Sequence, residues 1–200
     1  MQNDAKPVIL FDVLDTLVTD PVFTAVPEFF GMSARELFPL LHATSWIEFE
    51  KGRISEAEYI KSFFRDGRTV DGARLRRCLK QAYRWVDGME QLAADLKSAG
   101  HELYALSNYS LWYELIDESV HLSRFLRWTF VSCLTGVRKP DPQAFLGAAE
   151  TLKVEPADCL FIDDHAKNVE AARGVGMDAI LKLDAAQVRA EMVQRRVRGA

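Results

Sequence analysis

Two hundred residues, 22.6 kDa, suffice for one well-packed domain with a small insert, or two small lobes. Hydrophobic residues at 48% and charged residues at 27% argue against intrinsic disorder. A net charge of −4 argues against a sequence-independent grip on nucleic acid, which needs a basic field.

The chain opens without a basic, then apolar, leader, and no apolar stretch approaches the roughly 20 residues that span a bilayer. Cys78, Cys133 and Cys159 are odd in number and widely spaced, with neither a disulfide framework nor a metal-knuckle spacing. The expectation is a soluble cytoplasmic protein without membrane or nucleic-acid partners.

Val8-Ile9-Leu10-Phe11 is a continuous apolar run, the mark of a strand buried on both faces of a parallel sheet. It stops at Asp12, with Asp15 and Thr16 just beyond. From about residue 22 to 86 no strand pattern appears. Ser33-Ala34-Arg35-Glu36 and Ser55-Glu56-Ala57-Glu58 both fit a capping box, in which Ser and Glu satisfy the free donors of a helix start.

Alternation then resumes. Asp87 caps a helix to about Ser98 that Gly100 stops, and Glu102–Leu106 is a strand followed by a helix from about Ser110. Trp128–Ser132 is a strand, Gly136 marks a loop, and Asp141-Pro142 starts a helix. Cys159–Ile162, Ala166–Arg173 and Asp178–Leu181 read as strand, helix, strand, and Asp184 caps the last helix. Such β-α units give a parallel sheet with right-handed crossovers. The expected fold is α/β, a doubly wound parallel sheet over 1–19 and 87–200, with an inserted α-helical unit over 20–86.

Ligands of such sheets bind beyond the carboxyl ends of the strands. There the sequence delivers Asp12, Asp15 and Thr16, then Ser107-Asn108, then Arg138-Lys139, then Asp163-Asp164 with Asn168 a helical turn on. Taken singly these read as turn formers, helix caps and a solvated lysine. Four such explanations at one sheet edge are less economical than one site. Carboxylates from separate strands can hold Mg²⁺, and one can attack phosphorus. A Ser hydroxyl and a Lys ammonium can neutralise phosphoryl oxygens. The chemistry indicated is metal-assisted phosphate-ester hydrolysis on a small molecule.

Val8–Leu17, Leu103–Asn108, Gly136–Pro142 and Leu160–Asn168 together resemble the four motifs of the haloacid dehalogenase superfamily, and the insert is placed like that family's C1 helical cap. The resemblance implies Asp12 as nucleophile, Ser107 and Lys139 as phosphate-binding groups, and Mg²⁺ held by Asp12, the Leu14 carbonyl, Asp163 and Asp164. It also implies an aspartyl-phosphate that water hydrolyses, with Asp15 and Asn168 in supporting positions.

One departure stands out. Family phosphatases carry a second Asp, the general acid and base, where this chain has Leu14. Asp15, a cap residue, water or a good leaving group are the expected substitutes. The same departure keeps a 2-haloacid dehalogenase-like reading open, as well as that of a catalytically weak binding protein. Retention of Asp163-Asp164 favours Mg²⁺ and phosphate.

The segment Ser45–Gly52 combines aromatic and charged residues before a glycine turn, so Trp46 and Phe49 are expected at the ligand, with Thr16, Asn108 and Tyr109 facing it from the sheet. Trp112 and Tyr113 are expected in helix packing, His165 toward solvent, and Thr19–Pro21 and Val86–Gly88 as hinges. Phe11–Thr16, Trp46–Gly52, Asn108-Tyr109 and Arg138–Pro142 are similar to a subgroup containing plant organellar flavin mononucleotide phosphatases. That resemblance implies FMN hydrolysed to riboflavin, with slow hydrolysis of varied monoesters as the alternative.

Overall fold

The structure, a computed structural model, describes residues 6–200. Five parallel strands form one sheet: β1 (Val8–Phe11), β2 (Leu103–Ser107), β3 (Arg127–Val131), β4 (Cys159–Asp163) and β5 (Asp178–Leu181), in the order β3-β2-β1-β4-β5. Alternate residues of the apolar runs enter opposite cores: Ile9 and Phe11 on one side, Leu10 on the other. This is why the runs are continuous rather than alternating.

Helices α1 (Ala25–Phe29), α2 (Ala34–Leu37), α3 (Ser45–Glu50), α4 (Glu56–Lys61) and α5 (Gly72–Ala82) lie between β1 and β2. Both expected capping boxes are present: Ser33 with Glu36, and Ser55 with Glu58. On one sheet face lie α6 (Met89–Ser98), α7 (Tyr113–Val120) and α11 (Ala185–Gln194), whose core also takes in Leu37, Phe49 and Leu75 of the insert. The other face carries α9 (Pro142–Leu152) and α10 (Ala166–Gly174), and α8 (Ser132–Thr135) follows β3 directly. Among the described residues no helix is long and apolar enough to cross a membrane.

Two local expectations change. Gly88, in the left-handed region at φ 78°, precedes α6, and no side chain caps that helix, so Asp87 has no capping role. The turn at Ser132–Thr135 is helical rather than loop, closed by Gly136 at φ 74°. The segments expected as hinges, Thr19–Pro21 and Val86–Gly88, begin side by side: Val18 pairs antiparallel with Trp85, Thr19 N donates to Arg84 O, and Val86 N donates to Leu17 O. The chain therefore leaves the sheet for the insert and returns along neighbouring strands.

Candidate active site

The strand order reverses between β1 and β4, and the carboxyl ends of those two strands carry Asp12 and Asp163. This is the position at which open α/β sheets bind ligands. Lys139, 3% exposed, reaches between them: its Nζ lies 2.7 Å from Asp12 Oδ1 and 2.6 Å from Asp163 Oδ2. Burial opposes the lysine charge, but the two carboxylates outweigh it and raise its pKa. Burial raises the Asp12 carboxyl to about 6, with Lys139 pulling down and Asp163 and Asp164 pushing up.

Each partner is fixed in turn. Asn108 clamps the lysine backbone: its Nδ2 donates to Lys139 O at 2.8 Å, and Lys139 N donates to its Oδ1 at 2.7 Å. Asn168 Nδ2 donates to both oxygens of Asp163, and the His165 amide donates to Asp163 Oδ1 at 2.7 Å. Asp164 exchanges two 3.2 Å hydrogen bonds with Thr16, whose Oγ1 donates to Asp164 Oδ1 and accepts from Asp164 N. Burial raises the Asp164 pKa as well.

Carboxylate oxygens of Asp12, Asp163 and Asp164 all lie within 4.8 Å of one another. Three carboxylates against one ammonium leave negative charge in excess, and the donors are hard oxygens. Such a set fits Mg²⁺, which takes one or two carboxylates together with water and substrate phosphate.

A polar cleft of about 210 Å³ opens over this cluster, lined by Asp12, Ser107, Lys139, Arg138, Asp15 and Asn168 among others. A second cleft, about 290 Å³, lies against the insert and is lined largely by Val26, Phe38, Trp46, Tyr59, Tyr109 and Trp112. Leu14, Asp20, Glu50 and Asn108 line both, so the two clefts meet at those four side chains. The buried indole N–H of Trp112 finds no acceptor among the described residues. Tyr109 is held by a 2.5 Å hydroxyl contact with Tyr83.

Several expected ligand contacts fall elsewhere. Thr16 is wholly buried and lines neither cleft, because its hydroxyl is taken up by Asp164. Phe49 is also wholly buried, stacked on Tyr59 and edge-on to Trp112, so it supports the apolar cleft from behind. Trp112, expected only in packing, lines that cleft. Asp15 is exposed at the rim of the polar cleft, and its Oδ1 accepts the Asp20 amide at 2.8 Å.

Sequence reasoning gave no ligand role to Asp20, Glu50 or Arg138. Glu50, 3% exposed, closes α3, and its Oε2 is ion-paired with Arg138 Nε at 2.7 Å. Burial raises the Glu50 pKa against the pull of Arg138 and Lys139. The only local signal for these residues was charge placed beside aromatic and motif positions.

A haloacid dehalogenase-like hydrolase family model matches residues 6–176. Flavin mononucleotide hydrolase 1, chloroplastic, of Arabidopsis thaliana is 45% identical over 174 residues, 87% of this chain and 71% of that one. Among solved structures, a HAD family enzyme of Bacteroides thetaiotaomicron in its magnesium complex matches with TM-score 0.74 and 18% identity, covering 94% of this chain and 98% of that one. An L-2-haloacid dehalogenase matches with TM-score 0.59 and 24% identity, covering 88% and 83%. At these identities the structural likenesses establish the fold alone.

Proposed function

Because the chain belongs to the haloacid dehalogenase-like hydrolase family, we propose that it is an Mg²⁺-dependent phosphomonoester hydrolase working through a phosphoaspartate on Asp12. The observation that carries the reading is the buried cluster of Asp12, Asp163 and Asp164 around Lys139. Attack on an alkyl halide needs no cation, whereas a phosphate dianion needs the one that three converging carboxylates attract.

Asp12 is the nucleophile. Its Oδ1 is engaged by Lys139, which leaves Oδ2 to attack phosphorus. Lys139 opposes the cost of burying the Asp12 anion and keeps it ionised at neutral pH. Ser107 and Lys139 face the phosphoryl oxygens in the polar cleft, and Asn108 and Asn168 hold Lys139 and Asp163 in place. Mg²⁺ would be held by Asp12, Asp163 and Asp164 with the Leu14 carbonyl, and would offset charge on the phosphoryl group.

The leading substrate is FMN, giving riboflavin. An apolar cleft with Trp46, Tyr59, Tyr109 and Trp112 suits a flat ring, and the unpaired Trp112 N–H suits a ring bearing acceptors. The Arabidopsis relative named as a flavin mononucleotide hydrolase supports the same choice. The helical insert then serves as a cap that closes over the ring. The cytoplasmic placement stays part of this proposal and rests on three free thiols, since that relative is named as chloroplastic.

A panel of phosphate esters including FMN, assayed with Mg²⁺ and with EDTA, tests the reading. Phosphate release that needs Mg²⁺, is lost in Asp12→Asn and is fastest with FMN is expected. FMN turnover no faster than that of sugar phosphates removes the flavin, and metal-independent halide release removes the phosphatase.

A further inference from the structure

We propose that Asp20 is the general acid and base of this hydrolase, supplying the proton chemistry that Leu14 cannot. The inference rests on the phosphoaspartate reading above and names the group that completes it.

Leu14 and Asp20 border the same space. Both line the polar cleft with Asp12, both line the apolar cleft, and the two clefts meet beside them. The leaving oxygen of a bound ester, attached to phosphorus on one side and to the organic group on the other, must pass through that junction. Leu14 offers it only methyl groups.

Two carboxyl groups stand there, Asp20 and Glu50. Burial raises the Glu50 pKa as well, but Glu50 is ion-paired with Arg138 at 2.7 Å, and the fields of Lys139 and Lys51 also favour its anion. Asp20 has no such partner. Its Oδ1 accepts the Val22 amide at 2.9 Å, and its Oδ2 makes no hydrogen bond among the described residues. The groups that act on it are Asp15 and Asp164 from the sheet edge, both acids, and its own field reaches the Tyr83 and Tyr109 hydroxyls. Burial and those two acids push the Asp20 carboxyl up to about 6, close to where a neutral-pH acid and base works.

The backbone holds the group in position. Asp20 N donates to Asp15 Oδ1, the neighbouring Thr19 N donates to Arg84 O, and Pro21 begins a helical turn at once.

The steps balance as follows. Asp12 Oδ2 forms a bond to phosphorus as the bond from phosphorus to the leaving oxygen breaks, and the Asp20 proton passes to that oxygen, releasing the alcohol. The Asp20 carboxylate then takes a proton from water, whose oxygen attacks phosphorus as the bond to Asp12 breaks. Inorganic phosphate leaves, Asp12 is restored, and Asp20 is protonated for the next cycle.

The test compares two leaving groups in wild type, Asp20→Asn and Asp20→Ser, the serine keeping an N-cap acceptor for Val22. With Mg²⁺ present, rapid-quench measurement follows alcohol release from an alkyl phosphate (FMN or β-glycerophosphate) and from p-nitrophenyl phosphate, whose phenolate leaves without a proton. Both variants are expected to slow the first step about 10²–10⁴-fold for the alkyl ester. The p-nitrophenolate burst should keep its rate while phosphorylated protein accumulates, visible as an added phosphate by mass spectrometry.

Equal slowing of both esters, or of neither, overturns the proposal, since a merely structural Asp20 cannot sense the leaving group. Wild-type protein that releases no phosphate from either ester removes the phosphatase reading and this one with it. Wild-type turnover with unaffected variants removes this one alone.

Discussion

Lys139→Met puts the central cluster to a direct test. Methionine keeps an unbranched side chain against the Phe161 ring, whose centroid lies 5.0 Å from the lysine Nζ, but removes the charge. Two carboxylates, at 2.7 and 2.6 Å from that nitrogen in the native protein, then face each other at the buried floor of the polar cleft. Removing one partner of a buried ion pair costs about 3–5 kcal/mol, because the remaining charge is left uncompensated. In a chain of this size about 1 kcal/mol moves Tm by roughly 2–4 °C, so the melting temperature should fall by about 6–20 °C. The assay is thermal unfolding in EDTA near neutral pH, followed by circular dichroism. The loss should shrink as pH falls, because Asp12 takes up a proton and one of the opposed charges disappears; without the downward pull of Lys139 this happens in the variant at a higher pH than the wild-type value of about 6. Mg²⁺ should recover more stability in the variant than in wild type. A variant that melts with wild type in EDTA would refute the charge argument, and with it the account of why the lysine is buried there.

Other outcomes follow from the same geometry. Asp12 and Asp20 both have native pKa values raised from 3.8 to about 6, so the folded state holds their protons more tightly than the unfolded chain does. Their contribution is fully present below about pH 4 and lost as pH rises through about 6. Urea midpoints in EDTA should therefore show Asp12→Asn matching wild type at the acid end and exceeding it above pH about 6; a constant gap would contradict the linkage. Gly52→Ala adds a Cβ 2.4 Å from Cys133 O at a residue with φ 68°. The left-handed backbone alone costs about 1–2 kcal/mol, and the clash should push α3 from α8, raising KM through Glu50; unchanged KM and Tm would count against the tight seam. Asn108→Ala removes both hydrogen bonds to the Lys139 backbone and should cost about 1–3 kcal/mol with a fall in kcat, read by urea titration and steady-state rates.

The parts of this molecule written locally were legible. Continuous apolar runs marked strands buried on both faces, and Ser33 and Ser55 with glutamates three residues on marked two helix starts. The converging acids were legible too, because each directly follows a strand. What escaped depends on distant parts of the chain meeting. The turn of α8 carries no helix signal of its own; α3 of the insert packs on it, with Ser132 Oγ donating to Glu50 O at 2.7 Å. Glu50 and Arg138 meet across 88 positions of sequence. Asp20 before Pro21 reads as a turn, which it is, since its carboxylate does accept the Val22 amide. That the same residue borders both clefts depends on where five helices fold back. Thr16 and Phe49 were misplaced for the converse reason: both lie beside ligand-facing residues, but packing turns them inward.

The ribbon joining Val18 to Trp85 bears on how such a protein diversifies. The two ends of a segment of some 65 residues leave and rejoin the sheet side by side, already hydrogen-bonded to each other. Exchanging everything beyond that clasp alters the walls that select a molecule and leaves untouched the acids at the sheet edge. New selectivity can then be acquired by transplanting one contiguous stretch of gene, with Asp12, Lys139, Asp163 and Asp164 inherited intact, so long as Asp20, just past the clasp, is kept.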